Sequence, residues 1–209
     1  QNGSGNLFNT FVGDRSGYSG TTASNNTFTG SVAGYSTTTG SYNVAYGASA
    51  LFNNTTASNN TAVGYQALYS NTTGAPNDAY GVQSMYANTT GTYNVAYGYY
   101  SLKANTTGSY NTAVGRAALA NNTTGTNNTA VGDGAMQLNT TGYYNTAVGA
   151  GSLYQNTVGN RNIALGYEAG HKLTTGSNNI AIGNMGVAGD NGTIRIGSTQ
   201  TAAYIAGVN

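Results

Sequence analysis

Six side chains hold whatever acid–base chemistry the sequence can offer: Asp14, Asp78, Asp133, Glu168, Asp190 and His171. Catalysis needs such groups to converge on one another and on a substrate. Asp78 and Asp133 fall in different repeats and at different places in the repeat, so the chain gives them no reason to meet. Glu168 and His171 lie close in sequence with Lys172 beside them, a spacing that a solvated turn explains fully. A single His, scattered acids and no Cys cannot fill a metal shell. No G-x-x-x-x-G-K-[ST] loop is present to cradle a phosphate. The expectation is a protein with no catalytic residues, no cofactor and no metal; it does not read as an enzyme.

Composition excludes further classes. Of 209 residues, 30 are Asn, 32 Thr, 16 Ser and 32 Gly, and only 5% are charged. An ordinary domain carries about a quarter charged residues. Such a chain has no basic surface for nucleic acid and no polybasic patch for anionic lipid. No run of about 18 apolar residues exists, so membrane insertion is not expected. The lack of a signal-peptide pattern leaves a mature secreted chain or a cytoplasmic one open.

Asn/Thr/Gly-rich chains are commonly disordered, but a strict period argues against that here. Gly recurs at 13, 30, 47, 64, 81, 98, 115, 132, 149, 166 and 183, each step 17 residues, and an Asn stands four places before every one. Two places before the Gly is Ala from Ala45 to Ala181, with Phe11 and Phe28 in the first two units. Four places after it comes Leu or Met in the middle units, then Asn-Thr-Thr-Gly. Registers held this long are the signature of a solenoid.

Two glycines in most units exclude helical repeats, since each costs about 1 kcal/mol inside a helix. Asn-Thr-Ala-Val-Gly reads instead as a short strand with alternating faces. A second extended stretch from the Ala-Leu pair to the Thr-Thr pair would complete a flattened coil. The expected fold is all-β: a parallel β-roll, or β-solenoid, of about eleven 17-residue coils over residues 1–189. The expected narrow core holds Ala62, Ala113 and Ala147 with Leu68, Leu102, Leu119 and Leu153. The opposite strand face carries Val63, Tyr80, Tyr97, Val114, Val131, Val148, Leu165 and Ile182. A single roll has nothing to cover that face, and so large an apolar patch points to burial between chains.

The polar ladders have plainer readings. Asn in register can hydrogen-bond from rung to rung and suits turns. The Asn-Thr-Thr segments also create N-glycosylation sequons, with candidate glycan sites at Asn54, Asn71, Asn88, Asn105, Asn122 and Asn139. A Thr ladder from Thr55 to Thr174 resembles the arrays of ice-binding β-solenoids, although Thr also suits strands and turns. The 18 Tyr could stack on sugar rings or pack between subunits.

Units such as Asn162-Ile163-Ala164-Leu165-Gly166 and Asn179-Ile180-Ala181-Ile182-Gly183 resemble the short repeat of trimeric autotransporter adhesin heads. The resemblance implies a parallel β-roll associated three-fold about a fibre axis. Residues 192–209 are similar to segments that precede an intramolecular chaperone in phage-type tail fibres and related bacterial surface proteins. There the period drops to 14 and Arg195 takes the Ala slot. A charge in a narrow apolar core costs several kcal/mol. Residues 190–209 are therefore expected to leave the roll as a junction, with Ile194, Ile196, Tyr204 and Ile205 buried between chains.

The functional expectation is a structural subunit of an extracellular or cell-surface fibre, or of a phage particle. It would self-associate as a homotrimer or a head-to-tail filament. An adhesin or carbohydrate-binding head touching glycans or a host surface is the alternative, and ice binding a third.

Overall fold

The period folds as its alternation requires. A computed structural model describes residues 8–200 and is all-β. Twelve short strands run from β1 (Thr10–Val12) to β12 (Ile194–Ile196), among them β7 (Thr112–Val114), β8 (Thr129–Val131) and β11 (Ile180–Ile182). They form one sheet in chain order. Neighbours are parallel and in register, so that Ala113 faces Ala130 and Val114 faces Val131. Rings that repeat from coil to coil, such as Tyr35 and Phe52, stack 5.1 Å apart, which reports the spacing of the rungs.

The strand's outgoing corner needs the anchor glycine. Gly115 has φ +135°, and a Cβ there would overlap the carbonyl of Gly132 in the next coil. From Gly13 to Gly149 each corner is pressed against its successor in this way, so no side chain fits.

The other half of the coil differs from expectation: it is not a second strand. Alternate residues there take left-handed backbone angles, as in Gln66 (φ 56°) and Leu68 (φ 50°), or Ala117 (φ 55°) and Leu119 (φ 52°). Amides at these positions bond to opposite neighbours. Gln66 N–H donates back to Ala48 O at 3.0 Å, and Leu68 N–H donates forward to Ser84 O, also at 3.0 Å. Backbone groups are thus satisfied between coils without a strand. The roll is one sheet facing a wall of stacked turns.

Between sheet and turns lies a core one side chain thick. Ala62, Ala113 and Ala147 of the sheet, and Leu68, Leu102, Leu119 and Leu153 of the turns, are fully buried. The first two coils fill the same space in reverse. Phe11 and Phe28 stand in the Ala column, and Gly17 and Gly34 in the Leu column, where an added Cβ would run into the Phe rings. At the far end Gly170 vacates the Leu column and Leu173, buried three residues on, fills it. Volume across the gap is held while its donor changes, as close packing demands.

Two ladders of buried Asn run through the same interior. In the anchor ladder, Asn94 Oδ1 accepts Asn111 N–H at 3.0 Å, and Asn94 Nδ2 donates to Gly108 O at 2.9 Å. In the turn ladder, Asn105 Nδ2 donates to Asn88 Oδ1 at 2.8 Å and to that same Gly108 O at 2.9 Å. The two ladders share one carbonyl per coil. The turn ladder ends where Leu173 replaces the next Asn. Asn156 Oδ1 is accordingly the one buried side-chain polar atom without a partner among the described residues.

The C-terminal segment corrects the expectation that it leaves the roll. Ile194, Arg195 and Ile196 pair in parallel with Ile180, Ala181 and Ile182, adding β12 as a twelfth rung. The shortened loop keeps the ladder bonds: Asn179 Oδ1 accepts Thr193 N–H at 3.0 Å, and Asn179 Nδ2 donates to Asp190 O at 3.1 Å. Arg195 is tolerated in the Ala column because Asp190 meets it with two bonds, Nε to Oδ2 at 2.6 Å and Nη2 to Oδ1 at 2.7 Å. A neutralised, half-exposed charge at the last described rung escapes the penalty an isolated buried one would incur. Ile194 and Ile196 are exposed on the strand face rather than set apart from it. Tyr204 and Ile205 lie outside the described residues.

Candidate assembly face

The strands lay two columns of side chains outward on either side of the buried Ala. One column contains Val63, Tyr80, Tyr97, Val114, Val131, Val148, Leu165, Ile182 and Ile196; the other ends in Ile163, Ile180 and Ile194. Alternation fixes this placement, since the residues flanking an inward Ala must point out. Val63, Tyr80, Val131 and Val148 are half-buried by their column neighbours, whereas Tyr97, Val114, Leu165 and Ile182 are exposed. Exposure along the first column varies from rung to rung, with 62% at Tyr46, 37% at Val114 and Ile182 and 65% at Ile196, while in the adjoining column Thr gives way to Ile over the last three rungs. One continuous surface results, apolar in its C-terminal third and mixed with Thr and Asp78 elsewhere. At its two ends β1 and β12 are the outermost strands of the described sheet.

The turn side is polar and organised differently from its sequence reading. Thr55, Thr72, Thr89 and their successors turn their hydroxyls along the axis; Thr89 Oγ1 donates to Thr106 O at 3.1 Å. That column is committed to the backbone. The Thr after each of them, such as Thr90 and Thr107, forms a single exposed file.

The sequons fare worse. Asn54, Asn71, Asn88, Asn105, Asn122 and Asn139 are wholly buried, and their Nδ2 atoms donate inside the coil. A glycan on Nδ2 would need space and a free nitrogen, and the folded coil offers neither. These six are structural ladder residues, which corrects their reading as glycan sites. The sequence could have signalled it, since a sequon arising from every repeat at a turn-forming Asn is first of all a turn.

Titratable groups are sparse but not evenly spread. Arg116 and Asp133, one coil apart in the same column, pair at 2.9 Å on the surface. Tyr154 and His171 stack in successive coils with centroids 5.2 Å apart. The Glu168 carboxylate beside Tyr167 pushes that phenol above its ordinary range. At the last rung the Arg195 guanidinium holds the Asp190 carboxyl below the usual carboxylate range. No group of three or more His, Cys, Asp or Glu stands close enough to hold a metal among the described residues. No helix there is long and apolar enough to cross a membrane. No protein-family model matches the chain and no curated protein matches it; what the structure shows is the fold, a parallel β-solenoid built from a 17-residue coil.

Proposed function

We propose that the protein is a structural subunit of an extracellular fibre, self-associating through the outward strand face and the ends of the coil stack. The observation that supports this reading most is the strand face itself. It runs the length of the described rod and carries exposed Tyr46, Tyr97, Val114, Leu165, Ile182 and Ile196, with nothing among the described residues to cover them. Soluble monomers rarely expose apolar patches of more than a few hundred Å². The near absence of charge on that face removes the usual barrier to self-association. The likeness of the 163–165 and 180–182 units to trimeric adhesin heads favours three-fold packing of this face. The outermost strands would add end-to-end stacking, whose polarity follows from the parallel sheet.

Light scattering of the purified chain should give a mass of three subunits or more, and electron micrographs should contain rods or filaments. Val114→Asp combined with Val148→Asp puts unpaired carboxylates into the face. It should reduce the mass to that of one chain while leaving the β-sheet circular dichroism unchanged. A monomeric wild type would end the proposal.

A further inference from the structure

One stretch of the turn side breaks the repeat in a way the fold does not require. Two places after the anchor Gly, successive coils carry Gln66, Gln83, Tyr100 and Ala117, then Gly134 and Gly151, then Glu168. All share one backbone conformation: φ is 56°, 52°, 61° and 55° at the first four, 61° and 66° at the two glycines, and 50° at Glu168. Glycine is therefore not needed for the chain to turn there. What the two glycines change is space. A Cβ on Gly134 would lie 3.3 Å from Gln137 Oε1 and 3.6 Å from the Tyr154 ring, and one on Gly151 would lie 3.3 Å from Glu168 Cγ and 3.6 Å from His171 Nδ1. Side chains at these two positions would fill the gap between those groups.

The gap is a groove of about 460 Å³, floored by Gly134 and Gly151. That lies within the range of small-molecule clefts, about 300–1,000 Å³. Its walls gather a third of the twelve Asp, Glu, Lys, Arg and His side chains of the chain, namely Arg116, Asp133, Glu168 and His171. None of the lining residues belongs to a strand, so the groove is separate from the apolar face.

We propose that this groove binds a neutral pyranose sugar. Tyr154 and His171 form a stacked aromatic wall, and Tyr167, 75% exposed, stands at the rim. A sugar ring offers a C–H face that packs on an open ring such as Tyr167 and against the side of the Tyr154–His171 stack, with hydroxyls around its edge that both donate and accept. The lining supplies both partners: Asp133 and Glu168 accept, Arg116 donates, and Gln137 does either. Asp133 is already held in place by Arg116 at 2.9 Å. His171 Nδ1 lies 3.3 Å from the Gly151 carbonyl, which can only accept, so a proton on Nδ1 leaves Nε2 as a further acceptor. Two carboxylates against one guanidinium disfavour uronates and phosphorylated sugars.

Saturation-transfer NMR of the intact chain tests this with maltose, cellobiose, lactose and diacetylchitobiose, using glucuronate and glucose 6-phosphate as charged counterparts. At least one neutral disaccharide should bind at millimolar or lower concentration, with saturation strongest on the ring C–H protons. Gly151→Gln places in this coil the residue its column carries at Gln66 and Gln83. A side chain at this left-handed φ is strained, so the substitution should lower the melting temperature slightly while leaving the chain folded, and it should weaken binding by about tenfold or more. Tyr154→Ala should weaken binding similarly. No binding by any of the four neutral sugars, preferred binding of the charged ones, or undiminished binding by Gly151→Gln would each overturn the proposal. Since the readout is ligand binding and not solution mass, it stands or falls independently of the fibre reading.

Discussion

Asn105 donates to Asn88 Oδ1 and Gly108 O and accepts from Asn122 Nδ2, all at 2.8–2.9 Å and all out of water. Removing it strands an acceptor on one neighbour and a donor on the other. Asn156, last in the same ladder, donates to Asn139 and Gly159 but accepts nothing. A buried unpaired polar group costs about 1–3 kcal/mol. Asn105→Ala should therefore destabilise the chain more than Asn156→Ala by an amount of that order. Paired urea melts would measure the difference, and equal losses would mean that the ladder bonds are not what holds these turns. At this scale the sequence was half legible. Asn in register foretold rung-to-rung bonds, but whether the turn Asn faced in or out depended on the left-handed backbone angles around it. A non-Gly residue such as Leu119 at φ 52° has no local signal for that conformation.

At the scale of the coil, sheet and turn wall exchange volume across a gap one side chain wide. Ala113→Leu should overpack that gap and destabilise by about 1–3 kcal/mol. Thr112→Val, on the outward face, should be close to neutral. Phe28 with Gly34 supplies the remedy. Ala113→Phe alone should fail more severely than Ala113→Leu, and Ala113→Phe with Leu119→Gly should recover most of the loss. Thermal melts of the four variants test the set; a double variant no better than Ala113→Phe would contradict the exchange. The inward Ala and the outward Val were readable because strand alternation is a period of two. The Leu column was placed in the core for the right reason, its size. The second strand assigned around it was wrong, because periodicity cannot distinguish a strand from stacked turns that bond both ways along the axis. The Phe-for-Ala change in the first two units was visible in the sequence. Its coupling to Gly17 and Gly34 became clear only once those columns were known to face each other.

For the described molecule as a whole, the last described rung is where ionisation bears on stability. The Asp190 carboxyl is held below its ordinary range, first by the hydrogen bond from Arg195 and further by Val187 N–H. A carboxyl whose pKa is lower folded than unfolded stabilises fully above its unfolded value, near 3.9. That contribution is lost as the pH falls from there through the folded value. Acidification below about pH 4 should therefore open β12 before the rest of the rod. Hydrogen exchange at the Ile194–Ile196 amides should rise first, and Asp190→Asn should produce the same opening at neutral pH. Exchange that rises evenly over all rungs would show the last coil to be no weaker than the others. The drop in period at residue 190 marked this place in the sequence. Reading Arg195 as the end of the roll missed that a carboxylate five residues earlier could accompany the charge into the sheet.

Each coil is fastened almost entirely to the coil before it and the coil after it, through bonds that recur 17 residues apart, such as Thr89 to Thr106 and Asn94 to Asn111. Under tension such a rod behaves unlike a globular domain. A load on its two ends meets only the outermost rung, which peels while the rest keep their shape. Each turn let go frees 17 residues, roughly 55–60 Å of extended chain at about 3.3–3.6 Å per residue. Extension would then proceed as a run of small, nearly equal yields at steady force, and recoil by rewinding onto the last intact rung. A strand of this material would stretch and shorten like a ratcheted tether before it broke.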